Sequence, residues 1–543
     1  MKKYSIYTSG TALALLICLV LGTVSCSGDL LDINKDPNTS TQLVLPNTLA
    51  YSQVSLVSNL LDDPNTNAGS FSRMWYTTEL RNYEQNQGTY SASWTNMYSR
   101  PLANLQVIID DAEDNQAGYR AIARLLKAYT FSILVDMYGD VPYFEALNPK
   151  ITFPKMDQGA AIYADILLEI DQALQELSTH SGPILGDMIY GGNLNNWRKM
   201  GNTLKLKMYA QTRKENSINS VQGFNSLIGS DLIAANAADF QLKYGSQQSP
   251  NQNRHPLHIN HYNQATAYWM DNWTMSNLLN DGTISATTGL RVSYRNVVDP
   301  RLRYYVFRQV AGDGSGSVVT CAGGGCPVGL IGSGYLGRDA GDPSAFSNEG
   351  ALIATFGVYP VGGLVDTNSP KTVTAADGTG RGIFPMLTAF MVKFLHAEMA
   401  LTTAVNGNPL ELMQEGIRLS MNKVRDFGRA EMPSISGSPY EMSESSVNEY
   451  LADVALAYNS ATTEASRLNI IMTEYQLALW GNGLEAYNNY RRTGFPDFAT
   501  TAPVMGNPPY PQRFIIPVSE LETNPSLSDY SPDPFEPVFW SVP

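Results

Sequence analysis

The chain has 543 residues, of which 43% are hydrophobic and 10% aromatic, so it is long and apolar enough to fold around a large core. Its formal net charge is −14 at pH 7, from 36 basic and 50 acidic residues. An acidic balance of this size argues against nucleic acid or an anionic surface as a partner, because both require a basic face.

The N-terminus has the pattern of a lipoprotein signal peptide. Lys2 and Lys3 precede a short apolar stretch, and small residues then lead to Cys26. We expect residues 1–25 to be removed and Cys26 to carry the lipid, since several acyl chains hold a protein on a membrane durably. The alternative is a secreted protein with Cys26 in a disulfide. No later apolar run has the length of a transmembrane helix.

Residues 26–44 are expected to form a tether, and residues 45–216 are expected to be helical. In the stretch "YRAIARLLKAYTFSILVDMYGDVPYFEA", apolar residues recur at helical spacing, and Gly139 followed by Pro142 ends the pattern. The residues of that face are Ile122, Leu125, Leu126, Tyr129 and Ile133. Successive amphipathic helices with short turns must pair to bury their faces, so the fold is predicted to be mainly α.

The rest of the chain divides by composition. Residues 217–385 are rich in Gly loops with short strand-like pieces such as "YYVFRQV", and helical periodicity returns over 386–495. A Pro-rich tail, 496–543, is expected to run over the surface. No linker separates these parts, so residues 45–543 are predicted to form one domain.

Two cysteines, Cys321 and Cys326, remain beyond the tether in "TCAGGGCPV". In an exported protein this pair most simply forms a local disulfide, with two free thiols as the alternative. A metal site would require further ligands, and the sequence around the pair has none.

The histidines of "RHPLHINHYN" are the other candidate metal ligands. His255, His258 and His261 could hold zinc, but Pro256 and the Asn-rich surroundings argue against an ordered helix. We therefore predict a polar loop and no metal.

The sequence gives no positive support for catalysis or for a bound cofactor. It has no nucleophile elbow, phosphate-binding loop or dinucleotide fingerprint. Glu398 and Glu485 could serve a glycoside hydrolase, but both lie in helical patterns where a cap or an Arg partner explains them more simply. We predict no catalytic residue.

Two loop clusters mix aromatic rings with amides. The first contains Arg81, Tyr83, Gln87 and Tyr90, and the second contains Trp269 and Trp273. Aromatic faces pack against the CH faces of sugars, and amides and Arg bond their hydroxyls. Core packing is an equally good explanation for these rings. For Trp94 and Tyr98 it is the favoured one.

Ordered motifs along the chain resemble those of the SusD/RagB family, and most closely its SusD-like branch. They are "CSGDLLDINKDPNTS", "WTNMYSRPLANL", "ARLLKAYTFSILVDMYGDVPY", "DPRLRYYV", "AEMAL", "YQLALWGNGLEAYNNYRRTGFP" and "RFIIPVSELETNP". The resemblance implies a fold of tetratricopeptide-like helix pairs that carry an irregular, loop-rich part. Arg124, Trp480 and Glu485 would then pack and pair helices.

The resemblance also implies a function. Members are outer-membrane lipoproteins that face the cell surface, bind oligosaccharides, or peptides in some branches, and cap a SusC-like TonB-dependent transporter. They catalyse no reaction. On this basis we expect Arg81, Tyr83, Gln87, Tyr90, Trp269 and Trp273 to form part of a ligand-binding face. A peptide-binding RagB-type member and, less favoured, a surface glycoside hydrolase are the alternatives.

Overall fold

Helices that pack in pairs make up most of the structure, which is a computed structural model. It describes residues 44–77, 83, 85–262, 268–280, 294–310, 333–338, 354–362, 365–498, 509–528, 530 and 532–541. The described residues from Leu45 onward form one compact unit.

The first part of the chain is helical. Its helices are α1 (Leu45–Leu61), α2 (Asp63–Phe71), α3 (Ser91–Met97), α4 (Ala103–Asp111), α5 (Ala117–Tyr138), α6 (Gly159–Thr179), α7 (Leu194–Gln211) and α8 (Ser217–Leu227). Consecutive helices from α4 to α8 pack against one another. This succession of paired helices agrees with the predicted tetratricopeptide-like architecture.

Short elements follow. They are α9 (Pro256–His261), α10 (Asn272–Leu279), α11 (Leu302–Tyr305) and the strands β1 (Trp75–Thr77), β2 (Phe240–Tyr244), β3 (Tyr268–Met270), β4 (Val306–Phe307), β5 (Thr355–Phe356) and β6 (Gly382–Leu387). The strands form antiparallel two-stranded ladders, β1 with β3, β2 with β6 and β4 with β5. The prediction of a strand over "YYVFRQV" holds only for Val306 and Phe307, because Tyr304 and Tyr305 belong to α11 and the last three residues form no strand.

Helices return in the last part of the chain. They are α12 (Ala389–Thr402), α13 (Pro409–Glu431), α14 (Glu444–Ser460), α15 (Glu464–Ala478), α16 (Gly483–Thr493) and α17 (Val518–Thr523). Helix α12 packs on α13, α15 and α7, and α16 packs on α2, so the two helical parts share one core. The prediction of a mainly α fold is confirmed. None of the helices in the described ranges has the length and apolar character that crossing a bilayer requires.

Helix α5 shows how the sequence pattern becomes structure. Its predicted apolar face is buried, with Ile122, Leu125 and Leu126 each 0% exposed. Burying one such side chain stabilises the fold by about 1.5–3 kcal/mol. Gly139 follows the last turn at φ 86°, a left-handed conformation that costs glycine little. Arg124 on α5 pairs with Glu169 on α6 at 2.6 Å, as the helix-pairing role predicted for it requires.

The Pro-rich tail does not simply run over the surface, and that prediction is wrong. Phe514 and Trp540 are 0% and 1% exposed, and Tyr510 is also buried. The backbone N–H of Phe514 donates to the carbonyl of Met137 at 2.8 Å, which attaches the tail to the end of α5. The prolines set an extended path, but the aromatic residues between them insert into the core.

A fully buried ion cluster connects the two helical parts. Glu398 on α12 accepts two hydrogen bonds from Arg492 on α16, at 2.9 and 2.7 Å, and lies 3.1 Å from Nη1 of Arg213. Burial alone would raise the pKa of Glu398, but the Arg492 and Arg213 guanidiniums lower it below its usual value. The carboxylate is therefore ionised, and the neighbouring guanidiniums compensate its negative charge.

Removing this charge tests its structural role. Glu398→Gln leaves two buried guanidiniums without a carboxylate, and we expect the free energy of unfolding to fall by about 3–5 kcal/mol. Glu415→Gln is the matched control, because Glu415 pairs with Lys393 at the surface with 55% of its side chain exposed. We expect the control to change stability by less than about 1 kcal/mol. Equal urea midpoints for both variants would contradict the assignment.

Candidate functional site

The two tyrosines of the first predicted cluster lie in the interior. Tyr90 is 0% exposed and stacks face to face on Phe514, with ring centroids 4.3 Å apart and an interplanar angle of 9°. Asn67 Nδ2 donates to the Tyr90 hydroxyl at 3.2 Å, and burial raises the pKa of that hydroxyl well above its usual value. Tyr83 is 3% exposed and contacts Tyr510 edge to face. In this structure neither ring presents a face to solvent.

The polar members of the first cluster differ in position. Gln87 is exposed, and its backbone carbonyl accepts from the N–H of Val518 at 3.3 Å. The neighbouring Gln85 uses its amide within the protein, donating to the Arg513 carbonyl at 3.0 Å and accepting from Ile515 at 3.3 Å. Arg81 lies outside the described residues. Gln87 is therefore the described polar residue of this cluster that a ligand can reach.

The second cluster lies where β3 leads into α10. Asp271 caps α10, its side chain accepting from the N–H of Trp273 at 2.8 Å. Trp269 is 0% exposed, and the Arg338 guanidinium lies 4.8 Å from its ring centroid, within range of a cation–π contact. Trp273 is only half-buried and packs on Phe498, with ring centroids 5.6 Å apart. Among the predicted aromatic residues, Trp273 is thus the one that is not fully buried.

The structure joins the two clusters through residues of the tail. Tyr83, Tyr510, Phe498 and Trp273 form a continuous series of rings, here called the aromatic run, with centroid separations of 5.5, 6.4 and 5.6 Å. Sequence reasoning missed Phe498 and Tyr510, because both lie among the prolines of "GFPDFA" and "NPPYPQRF". The alternation of aromatic residues with proline was the available signal.

Arg73 is a buried residue that contacts the aromatic run at Phe498. Its carbonyl accepts from the Thr274 hydroxyl at 2.6 Å, and its guanidinium lies 5.9 Å from the Phe498 ring centroid. Arg73 itself is 4% exposed. These contacts connect the turn before β1 to α10 and hold Phe498 against Trp273.

Several chain segments meet beside β3. Thr77 pairs with Tyr268 in the β1–β3 ladder. The N–H of Met270 donates to the carbonyl of Ala354 at 3.1 Å, and the N–H of Arg338 donates to the carbonyl of Met270 at 2.8 Å. Residues from four separate parts of the chain therefore converge next to the Trp269 and Trp273 cluster.

The two carboxylates considered for hydrolysis are used in ion pairs. Glu398 belongs to the cluster with Arg492 and Arg213, and Glu485 lies 2.7 Å from Nζ of Lys207. Both acids are at most 3% exposed. The predicted pairing of Glu398 with Arg is confirmed, and Glu485 has a Lys partner that joins α16 to α7.

The histidine segment differs from its prediction. Residues Pro256–His261 form α9, so the expected polar loop is wrong. Pro256 occupies the first helical position, where its missing N–H is not needed, and the Nδ1 of His255 caps the helix by accepting from Leu257 at 3.1 Å. His255 and His258 are buried, and Nε2 of His258 lies 2.8 Å from the Asp377 carbonyl. Within the described ranges no group of three or more His, Cys, Asp or Glu is placed to hold a metal ion.

The predicted core residue Trp94 is 3% exposed and lines the wall of a cavity of about 630 Å³ together with Tyr98, Pro142 and Ile151. Its Nε1 donates to Glu520 on α17 at 3.2 Å. Cys26, Cys321 and Cys326 lie outside the described residues, so their lipidation and pairing stay predictions.

A SusD-like family model described as "Starch-binding associating with outer membrane" matches residues 37–517. One similar solved structure, described as a chitin-binding protein, shares 19% identity at a TM-score of 0.70 and covers 92% of this chain and 100% of that chain. A SusD homolog from Bacteroides fragilis NCTC 9343 shares 20% identity at 0.66, covering 90% and 99%.

A chitin-binding SusD homolog from Flavobacterium johnsoniae shares 16% identity with this chain at a TM-score of 0.64, covering 92% of this chain and 98% of that one. At these identities the likeness shows the fold. No curated protein matches the sequence.

His255, the buried residue that caps α9, predicts that the stability of the protein depends on pH. Burial, and then the neighbouring His258, lower the pKa of His255 from 6.5 to about 3. Below pH 6.5 the unfolded chain binds a proton that the native His255 does not, so this contribution to stability falls as the pH drops from 6.5 towards 3. His255→Asn keeps a capping acceptor but does not titrate.

The measurement is the free energy of unfolding at pH 6.5 and pH 5.5. Between these two pH values we expect the free energy of unfolding of the variant to fall by about 1 kcal/mol less than that of the native protein. Parallel pH profiles for the two proteins would contradict the buried, neutral state of His255.

Proposed function

The chain belongs to the SusD-like family, and from this premise we propose that it is a cell-surface lipoprotein that binds glycans and delivers them to a SusC-like TonB-dependent transporter. The observation that supports ligand binding most directly is the aromatic run. It ends in the half-buried ring of Trp273, beside the point where several chain segments converge.

Trp273 is suited to stack on a sugar ring. Its backbone is fixed by the Asp271 cap at the start of α10, and its ring is supported by Phe498. Such support reduces the entropy that the side chain loses when it contacts a ligand. An indole face packs well against the CH face of a pyranose, because both surfaces shed water on contact.

The buried members of the predicted cluster would act differently. Tyr83, Tyr90 and Trp269 hold the neighbouring elements in place in this structure, and Gln87 remains exposed for hydrogen bonding. We propose that Trp273 and Gln87 contact the ligand, with Arg81 as a further polar contact. The buried rings would set the positions of these residues.

The class of ligand is proposed from the relatives. Two of the similar structures are named as chitin-binding, which favours an oligosaccharide over a peptide. A peptide-binding RagB-type protein is the alternative that a binding test must separate. A hydrolase that uses Glu398 and Glu485 is disfavoured, since both carboxylates are buried in ion pairs.

Delivery places a limit on affinity. A ligand that must pass from this protein to a transporter has to dissociate readily, so we expect modest binding constants. An interface of standard size, about 800 Å² on each partner, would be enough to hold the cap on the barrel.

The first test is calorimetry with chitin oligosaccharides, maltooligosaccharides and a mixed peptide pool. For the glycan that binds, we expect Trp273→Ala to weaken binding by about tenfold, the scale of one lost aromatic contact. Tyr51→Ala is the matched control, because Tyr51 is an exposed aromatic residue on α1, 50% accessible. Binding of the peptides alone would move the protein to the RagB-type alternative, and equal affinities for both variants would remove Trp273 from the site.

The second test concerns the anchor. Cys26→Ala removes the thiol that would be acylated, and we expect the protein to move from the outer-membrane fraction to the soluble fraction. In a separate experiment on intact cells, we expect added protease to degrade the native protein, because the proposal places it on the outer surface. Retention of Cys26→Ala in the membrane fraction would contradict lipidation at this residue.

A further inference from the structure

The buried ion cluster of Glu398, Arg213 and Arg492 has an excess of positive charge. Its members are 0%, 4% and 0% exposed, and one carboxylate faces two guanidiniums. Arg492 occupies both oxygens of Glu398, at 2.9 and 2.7 Å. Arg213 therefore shares an acceptor that already has a partner.

Two other buried clusters of the described chain are balanced. One combines Asp299 and Glu474 with Arg295 and Arg301, and the other pairs Asp239 with Lys423. A buried charge is costly unless it is neutralised nearby. The cluster at Arg213 has one cation more than either of these two.

A cavity of about 720 Å³ lies directly over Arg213. Its charged lining consists of Arg213, Lys214 and Glu464, and its wall is completed by the first residues of α8 and α15 and the last residues of α12 and α16. Arg213 uses Nη1 for its contacts to Glu398 and to the Arg492 carbonyl at 3.4 Å. Arg213 thus lines the cavity, and its side chain is anchored by Glu398.

Lys214 adds a second cation at the mouth of the cavity. Its side chain is exposed, and its pKa is lowered, first by partial burial and then by the Arg213 guanidinium, although Glu398 opposes this effect. Repulsion between like charges of this kind is relieved when an anion binds between them. Glu464, at the first position of α15, is the acid that opposes such binding.

We propose that this cavity is an oxyanion site that takes a phosphate or sulfate group, with Lys214 at its mouth and Arg213 at its base. The group could be a free inorganic anion or a substituent of an anionic saccharide. The site is lined by none of the residues of the aromatic run, so it would act in addition to the proposed binding of neutral sugars.

The test is calorimetric titration of the full mature protein with inorganic phosphate and with sulfate, at constant ionic strength set by sodium chloride. We expect saturable binding, weakened about tenfold by Lys214→Gln, which removes one charge-assisted contact. We expect Glu464→Gln to strengthen binding, because it removes the opposing charge. Opposite effects of two surface substitutions are not produced by a general loss of structure.

Lys150→Gln is the matched control, since Lys150 is an exposed lysine in the turn after α5 and the substitution changes net charge equally. We expect it to bind the anion as the native protein does, with all three variants melting within a few degrees of it. The proposal would be overturned if neither anion bound saturably. It would also be overturned if Lys214→Gln and Lys150→Gln lost the same amount of affinity for the anion.

Glucose 6-phosphate distinguishes the two sources of the group. Tighter binding than inorganic phosphate would indicate a site for an anionic saccharide, and equal binding would indicate a site for the free anion. Neutral chitin oligosaccharides and maltooligosaccharides test the glycan function separately, so the two proposals can fail independently.

Discussion

Asp136 is a single buried carboxylate on which four helices converge. It lies on α5 and accepts from the Tyr163 hydroxyl on α6, from Nζ of Lys207 on α7 at 3.1 Å and from Nδ2 of Asn488 on α16 at 3.0 Å. Because an uncompensated charge in the interior costs several kcal/mol, these donors must all reach it in the folded state. The spacing of the four helices, and so the union of the N-terminal and C-terminal helical parts, depends on this arrangement.

The candidate site depends on the same region through the tail. Nη2 of Arg491 donates to the carbonyl of Asp136 and Nη1 donates to the carbonyl of Gln512, both at 2.7 Å, and Phe514 bonds the next residue of α5, Met137. Once fixed there, the tail brings Tyr510 against Tyr83. The aromatic run is therefore positioned by contacts made at the far end of the chain.

The aromatic run and the cavity over Arg213 suit different chemical groups. Aromatic rings supported from behind favour the apolar faces of neutral sugars, whereas an excess of buried positive charge favours an anion. The contrast is marked in a chain whose net charge is −14, because a local positive field in an acidic protein requires particular residues to be held together. The helix ends of α8, α12, α15 and α16 supply that framework.

The sequence by itself determined the long helices and the family. The spacing of Ile122, Leu125 and Leu126 and the following Gly139 defined α5, since helix periodicity and its termination are local properties. The sequence could not decide whether Tyr90 and Trp273 belong to the core or to a ligand site. An aromatic ring loses water equally well against a sugar or against another ring, and the ring that covers Tyr90 belongs to Phe514, more than 400 residues further along the chain. Only the tertiary structure brings such partners together, and so only it decided that Tyr90 is enclosed and that Trp273 is partly buried.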